Sequence, residues 1–290
     1  ISFVGVSCFY LFCISNVRIH NVMKSITNES EYFLVPGIPD KIETTIAKSG
    51  LSMNESMRQV SEAVFAVETE AYGMVMNSFE ELEPAYAEGY KKMRNDKVWC
   101  FGPLSYSNKD HLDKAQRGKK ATIDECHLKS WLDCQKPGSV IYACFGSICN
   151  LTPPQFIELG LALEASERPF IWVIREGSLS ETLGKWVKED GFEERTSGRG
   201  LLIRGWAPQL LILSHPAVAV FITHCGWNST LEAICAGVPM VTWPLFADQF
   251  LNESLVVEVL KVGVRVGWGG ETCYMGQRRG SWSAGEERKC

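Results

Sequence analysis

The sequence lacks several features that would assign it to a common class. It has no cysteines spaced C-x-x-C and no concentrated run of Lys and Arg. The apolar opening, residues 1–14, is too short to cross a bilayer. It also lacks the basic segment and the small-residue cleavage site of a signal peptide. We therefore interpret it as a buried strand followed by a helix, with no stable membrane insertion.

Net charge and cysteine spacing exclude further classes of protein. Lys and Arg total 29 against 34 Asp and Glu, which gives a net charge of −5. Without a basic footprint, nucleic-acid binding is not expected to be the main task. The 11 cysteines are odd in number and scattered, which argues against a disulfide framework or a structural zinc site. Reduced thiols in a cytoplasmic protein are the simpler interpretation.

The nucleotide-binding glycine fingerprints G-x-G-x-x-G and G-x-x-x-x-G-K-[ST] are absent, so neither a dinucleotide fold nor a P-loop is indicated. Strand and helix signals nevertheless alternate with short joins, which is typical of a parallel α/β sheet. Strands are predicted at 139–145, 170–174, 201–204, 217–223 and 240–242. Helices are predicted from Thr152 and Pro153 onward, at 229–236 with Gly237 as the stop, and at 249–260.

The length of 290 residues allows two domains. Residues 1–105 are predicted to form one domain, with a helix marked by an apolar stripe from Met57 to Val67 and strands at 73–77 and 98–101. Residues 106–129 mix charges of both signs with little apolar content and are predicted to be a linker. Residues 130–266 are predicted to form the second domain. Residues 267–290 are predicted to be an irregular tail, because they show no apolar period.

One strand-to-helix turn carries the clearest functional signal. A predicted strand runs into residues 224–229, His-Cys-Gly-Trp-Asn-Ser, and a helix follows. Gly226 lets the backbone approach a ligand closely, and the N–H groups of the helix start favour an anion. His224 and Ser229 add donors, and Gly146-Ser147 opens on the same sheet edge. The pattern predicts a phosphate or pyrophosphate site at the carboxyl ends of the strands.

Each of these residues also has a purely structural explanation. Ser229 and Glu232 have capping-box spacing, and His224 could be a core histidine with its hydrogen bonds satisfied. Trp206 and Trp227 could be core aromatics, and Asp248 could cap the helix that starts near Gln249. Singly, each structural explanation is the simpler one. Jointly, the clustering on one sheet edge favours a binding site.

Residues 206–249 resemble the signature of plant secondary-product UDP-glycosyltransferases, the family-1 enzymes of the GT-B fold. The resemblance includes WAPQ at 206–209, HCGWNS at 224–229 and DQ at 248–249. The phrases at 35–40, 77–83 and 131–133 are also similar, so that it covers residues 1–266. It implies two Rossmann-like parallel-sheet domains facing a cleft, with the N-terminal one incomplete.

The resemblance implies a UDP-sugar site with a role for each matching residue. Trp206 would stack on the uracil, the Ala207 backbone and Gln209 would hold the base and ribose, and Glu232 the ribose hydroxyls. The pyrophosphate would be bound by His224, Asn228, Ser229 and Ser147. The sugar hydroxyls would be bound by Trp227, Asp248 and Gln249. Gln249 stands where galactose-using members of the family tend to carry His, so the resemblance implies glucose; an amide can both donate to and accept from neighbouring hydroxyls.

The implied reaction is inverting transfer of glucose from UDP-glucose to a hydroxyl of a small lipophilic acceptor, such as a flavonoid, terpenoid or hormone, without metal or cofactor. The family's general-base His and its Asp would lie upstream of Ile1, and His20 is no substitute. The chain is thus expected to be truncated, to lack the C-terminal helix that crosses back, to be monomeric and to be inactive alone. The alternative is a nucleotide-sugar binding module or pseudoenzyme; an NAD-dependent oxidoreductase is disfavoured by the absent glycine fingerprint.

Overall fold

A computed structural model describes residues 1–51, 55–107, 120–148, 151–175, 184, 186–187 and 190–266. Its N-terminal half, residues 1–107, contains strands β1 (Ser2–Val4), β2 (Phe33–Leu34), β3 (Glu43–Thr44), β4 (Met74–Met76) and β5 (Val98–Cys100). Its helices are α1 (Cys8–Ile19), α2 (Glu55–Glu70) and α3 (Pro84–Met93). The strands β1, β4 and β5 form a parallel sheet in the order β1-β4-β5, and β2 pairs with β3 antiparallel.

The C-terminal half, residues 120–266, contains a larger sheet. Its strands are β6 (Val140–Cys144), β7 (Phe170–Ile174), β8 (Gly200–Arg204), β9 (Val218–Thr223), β10 (Met240–Thr242) and β11 (Gly263–Arg265). Its helices are α4 (Glu125–Asp133), α5 (Pro153–Ala165), α6 (Phe192–Arg195), α7 (Gln209–Leu213), α8 (Trp227–Ala236) and α9 (Gln249–Ser254). The strand order is β11-β10-β9-β6-β7-β8, and every neighbouring pair is parallel.

The strand order places a topological switch point between β6 and β9. The chain runs outward from β6 through β7 to β8, then returns to the other side of β6 for β9 and continues through β10 to β11. Loops at the carboxyl ends of β6 and β9 therefore diverge and leave a crevice between them. Residues 145–147 and 224–226 follow these two strands and flank that crevice.

The predicted parallel α/β fold is confirmed, and its element boundaries follow local signals. Thr152 and Gln155 form a capping box at the start of α5, with Pro at the first helical position. Gly237 ends α8 in the left-handed region at φ 67°. The strands predicted at 170–174 and 240–242 have these bounds in the structure.

Apolar packing joins the two halves. One buried cluster contains the apolar face of α1, including Phe9 and Phe12, together with Leu231 of α8 and Leu251 of α9. Two other clusters cover the two faces of the large sheet. Because residues of both halves share one core, the carboxyl ends of β1 and β4 are held opposite those of β6 and β9.

Several predictions were wrong in detail. Helix α4 begins at Glu125 inside the predicted linker, because the Asp124 side chain accepts a hydrogen bond from the His127 N–H at 2.8 Å and caps it. Strand β1 is not wholly buried, since Phe3 is 81% exposed. The helix predicted at 249–260 is α-helical to Ser254 and then forms a π-helical turn.

Other predictions concern residues or side chains that lie outside the described part of the chain. Helix α2 contains the predicted stripe from Met57 to Val67, but those side chains are not described. The predicted tail, residues 267–290, lies outside the described residues. Strand β11 was not predicted. Among the helices in the described ranges, none has the length and apolar character needed to cross a membrane.

Candidate nucleotide-sugar site

A cavity of about 730 Å³ opens at the switch point. Gly5 and Val6 of the N-terminal half line one side of it. The opposite side brings together ten of the eleven predicted site residues: Ser147, Trp206, Ala207, Gln209, His224, Trp227, Asn228, Ser229, Glu232 and Asp248. Gln249 is the exception and is not among the described residues that line the cavity.

His224 follows β9 and is enclosed by two glycines. A Cβ on Gly146 would lie 2.7 Å from His224 Nε2, and a Cβ on Gly226 would also overlap the ring. Gly146 additionally has φ 70°, which disfavours other residues. A side chain at either position would displace the imidazole, so these glycines are needed for close approach.

The His224 imidazole is not a satisfied core histidine. Its side chain is 7% exposed, yet Nδ1 makes no hydrogen bond to any residue that the structure describes. Burial lowers the pKa of His224 to about 4, with the Cys144 backbone opposing the shift. The ring is therefore neutral at pH 7, with one nitrogen as donor and the other as acceptor. A buried, unpaired polar atom beside a cavity suits a ligand.

The first turn of α8 opens on the cavity. Gly226 is its N-cap and supplies no side-chain cap, and the first intrahelical bond runs from Thr230 N to Gly226 O at 3.0 Å. The N–H groups of residues 227–229 consequently have no intrahelical partner. The predicted capping box was wrong, because Ser229 is the third helical residue rather than the cap. This turn presents backbone donors and a positive dipole end to an anion.

Gln209 and its two partners form a polar cluster deeper in the cavity. The Gln209 Nε2 donates to Ser229 Oγ at 3.1 Å and to Glu232 Oε2 at 2.7 Å. Tyr142 OH approaches Gln209 Oε1 at 3.5 Å. Because both amide hydrogens are committed, the Gln209 side chain is fixed, and Glu232, only 7% exposed, is held with it.

Trp206 lines the cavity and is hydrogen-bonded to Thr122 of the predicted linker. Its N–H donates to Thr122 Oγ1 at 3.2 Å, and the Thr122 N–H donates to Trp206 O at 2.9 Å. The indole Nε1 is buried, with no hydrogen-bond partner among the described residues. Trp206 is half-buried and lines the cavity, so it is not simply a core aromatic.

Trp227, expected to bind sugar hydroxyls, lines the cavity but is only 2% exposed. Its Nε1 donates to Asn77 O at 2.8 Å, so the indole N–H is committed to the contact between the halves. The backbone N–H of Trp227, in the first turn of α8, has no intrahelical partner. Gln249 is also buried, at 4% exposure, and its Oε1 accepts from Leu245 N at 2.9 Å and Phe246 N at 3.1 Å.

Asp248 lines the cavity but does not cap α9 through its side chain. Its Oδ2 accepts from Asn252 Nδ2 at 2.7 Å. Burial raises the pKa of Asp248, while the hydrogen bond from Asn252 opposes the rise. The structural explanation that Asp248 is only a helix cap is therefore wrong.

Sequence reasoning missed Asn252, which is fully buried and connects three parts of the site. Its Nδ2 donates to Cys225 O at 2.9 Å as well as to Asp248, and its Oδ1 accepts from Ser7 Oγ at 3.3 Å. Cys225 has φ 64°, a strained conformation that this bond helps to hold. The i,i+4 spacing of Asp248 and Asn252 was the available signal.

Sequence reasoning also missed the cavity residues Lys120, Thr122 and Arg175. No sequence signal placed them there. Within the part of the chain that the structure describes, no three His, Cys, Asp or Glu residues cluster as metal ligands. A histidine–carboxylate pair does occur, His215 with Asp133 at 3.1 Å, but neither residue lines the cavity.

Fold and cavity together define an α/β protein of two parallel sheets whose facing strand ends enclose a site suited to an anionic ligand. A family model described as UDP-glucoronosyl and UDP-glucosyl transferase matches residues 116–268. The chain belongs to this family.

Individual relatives agree with the family assignment. The chain is 51% identical over 267 residues to UDP-glycosyltransferase 73C7 of Arabidopsis thaliana, covering 91% of this chain and 54% of that protein. It is 51% identical over 263 residues to UDP-glycosyltransferase 73C4 of Solanum lycopersicum, covering 90% and 76%. The chain thus spans about half the length of the Arabidopsis relative.

Solved structures show the same fold. UGT73P12 of Glycyrrhiza uralensis, complexed with glycyrrhetinic acid 3-O-monoglucuronide, superposes with a TM-score of 0.79 at 39% identity, covering 91% of this chain and 54% of that one. UGT2 of Phytolacca americana, complexed with UDP-2fluoro-glucose and pterostilbene, gives 0.67 at 30% identity, covering 91% and 56%. The expected GT-B architecture is confirmed.

Proposed function

We propose that this chain binds a UDP-sugar and that the protein transfers the sugar, with inversion, to a hydroxyl of a small lipophilic plant metabolite. The observation that carries the proposal is the buried His224 Nδ1, which has no hydrogen-bond partner among the described residues and lies beside the open first turn of α8 at the switch point. The Phytolacca americana neighbour, solved with UDP-2fluoro-glucose and pterostilbene, supports the ligand classes.

The proposed donor pose follows the chemistry of the cavity. The uracil stacks on Trp206, with the Ala207 backbone and Gln209 beside it, and the ribose hydroxyls meet Glu232. The diphosphate lies at the first turn of α8, where Asn228, Ser229 and Ser147 join the neutral His224. As the bond to the sugar breaks, negative charge grows on the leaving UDP, and these fixed donors stabilise it without a metal.

Glucose is the proposed sugar. Asp248 supplies a carboxylate that can accept from sugar hydroxyls, and it lines the cavity. Gln249 is proposed to act by holding the turn at 245–246 through its carbonyl oxygen rather than by lining the cavity itself. The acceptor is proposed to enter from the side of Gly5 and Val6.

The general base is not assigned to any described residue, and the chain alone is proposed to bind donor without completing transfer. His224 lines the cavity and is proposed to contact the leaving group, whereas His215 and Asp133 are not among the described residues that line the cavity. The alternative function, a nucleotide-sugar binding module without transfer, would use the same cavity. We propose that the protein is a monomer and that it lies in the cytoplasm; the scattered cysteines without disulfide spacing support the second proposal.

Calorimetric titration of the chain with UDP-glucose, in the absence of metal, tests the donor proposal. Saturable binding of UDP-glucose but not of NAD is the expected result. Absence of UDP-glucose binding in a sample that unfolds with a cooperative thermal transition would contradict the site. A transfer assay on the protein with an added acceptor then separates an enzyme, which releases UDP, from a binding module, which does not.

A further inference from the structure

Asn77 is the last residue before the 78–83 turn, at the carboxyl end of β4, and it reaches across to α8. Its side chain and backbone contact two consecutive residues of that helix. The Trp227 Nε1 donates to Asn77 O at 2.8 Å, and the Asn77 Nδ2 donates to Asn228 Oδ1 at 2.9 Å. Asn77 is not among the described residues that line the cavity, whereas Asn228 is.

The orientation of the Asn77 amide is fixed by a backbone group. Leu104 N donates to Asn77 Oδ1 at 2.9 Å, and a backbone N–H can only be a donor. The oxygen of the Asn77 amide must therefore face Leu104, and its nitrogen must face Asn228. The hydrogen bond from Leu104 N therefore assigns the oxygen and the nitrogen of the Asn77 amide.

The orientation of the Asn228 amide is determined in turn by Asn77. Because Asn77 presents a donor, Asn228 must present its oxygen in return. That leaves Asn228 Nδ2, a donor of two hydrogens, as the group for a ligand at the first turn of α8. We propose that Asn77 is a positioning residue that orients Asn228 so that donors, and not an acceptor, meet the diphosphate. This inference rests on the proposed UDP-sugar site.

Asn77→Asp reverses the arrangement with a minimal change in shape. The carboxylate introduced at position 77 still accepts from Leu104 N, but it now offers an acceptor to Asn228 as well. Asn228 then turns its nitrogen toward residue 77 and its oxygen toward the diphosphate. We expect UDP affinity to fall about tenfold to a hundredfold, as a hydrogen bond to a charged group is replaced by a repulsive contact. Uridine, which has no phosphate, should bind as it does to the unchanged chain.

The experiment measures the affinity for UDP by calorimetry and the affinity for uridine by competition. Thermal unfolding shows whether each variant is folded. Asn95→Asp is the control, because it adds the same charge in the N-terminal half on an exposed turn after α3. Asn77→Ala removes the orienting donor without adding charge and should give a smaller, UDP-selective loss. Repeating the Asn77→Asp titration at about 1 M salt, where the Debye length is about 3 Å, screens direct repulsion from residue 77.

A UDP-selective loss in Asn77→Asp that persists at high salt, with Asn95→Asp unchanged, supports the positioning role. Equal losses for UDP and uridine would show a structural role instead, and a loss abolished by salt would show simple charge repulsion; each overturns the inference. If the unchanged chain binds UDP and Asn77→Asp binds it equally well, only the inference fails. If the unchanged chain is folded and binds neither ligand, the proposed function fails and this inference falls with it.

Discussion

Helices α1 and α8 begin in corresponding places, each just after a parallel strand, yet their first turns differ. In α1, Ser7 Oγ accepts from Tyr10 N at 3.0 Å, and Glu83 accepts from Cys8 N at 3.1 Å and Phe9 N at 2.6 Å. In α8, the cap is Gly226, and no described side chain takes the place of these acceptors. One helix start is closed by the carboxyl group of Glu83, and the other has no such acceptor among the described side chains.

The difference shows how one physical preference serves two purposes. Helix N-termini favour anions, and a buried one needs acceptors. Glu83, 1% exposed, supplies the acceptors for the start of α1; burial raises the pKa of its carboxyl, while hydrogen bonds from Ser78 and from the backbone N–H groups of Cys8 and Phe9 oppose the rise. The segment 77–83 thus serves both helices, because Glu83 and Ser78 close α1 and Asn77 reaches α8.

Removing the Glu83 carboxyl group should change the free energy of unfolding more than any other substitution considered below. Glu83→Ala leaves the buried N–H groups of Cys8 and Phe9 without an acceptor and should lower the free energy of unfolding by about 4 kcal/mol. Glu80→Ala is the matched control, because Glu80 pairs with Lys91 at the surface and its loss should cost less than about 1 kcal/mol. Urea unfolding measures both. Equal losses would mean that α1 does not depend on Glu83.

A buried histidine, His224, lies beside the open helix start, and its burial should make the free energy of unfolding depend on pH. The pKa of His224 is about 4 in the fold against an ordinary value of 6.5, so the unfolded chain binds a proton first as pH falls. The unfolding free energy should therefore decrease by about 3 kcal/mol between about pH 6.5 and pH 4. His224→Asn should remove that part of the pH profile, and His127→Asn, on an exposed position of α4, should retain it. An unchanged profile in His224→Asn would contradict the assignment.

Adding a side chain at Gly226 should remove the difference between the start of α8 and the start of α1. In Gly226→Ala the added Cβ overlaps the His224 ring, and UDP affinity should fall about a hundredfold or more. Gly226→Ser carries the same Cβ but can cap α8 as Ser7 caps α1, so it should be about 1 kcal/mol more stable than the alanine variant and bind UDP no better. Calorimetry and thermal unfolding measure the two effects. Normal UDP binding by either variant would show that the diphosphate lies elsewhere.

The smallest effect is expected at Trp206, where the nucleoside is proposed to bind, away from both helix starts. Trp206→Ala should weaken UDP and uridine alike, by about 1–3 kcal/mol, the value of a base–aromatic stack. Trp99→Ala, at a tryptophan 44% exposed on β5, is the control and should leave both affinities unchanged. Unchanged affinity in Trp206→Ala would remove this residue from the site.

Local patterns predicted much of the C-terminal half because its elements are bounded by local signals. The cap at Thr152 and the stop at Gly237 are set by neighbours in sequence, and the strand-to-helix turn at His224 and Gly226 is also local. The strand order was not predictable in this way, since it depends on which strands pair. Nor were the contacts of Asn77, Thr122 and Asn252, which reach residues 27 to 245 positions away. For the same reason the hydrogen bond from the Trp227 indole to Asn77 of the N-terminal half was not predicted.

Backbone amide chemical shifts of the ¹⁵N-labelled chain, recorded with UDP and with uridine, test most directly whether α8 is open and α1 is closed. We predict that UDP shifts the amides of Asn228 and Ser229, that uridine shifts them much less, and that the amides of Cys8 and Phe9 stay unchanged with both. Saturable UDP binding that leaves Asn228 and Ser229 unshifted, or shifts Cys8 and Phe9 instead, would contradict it.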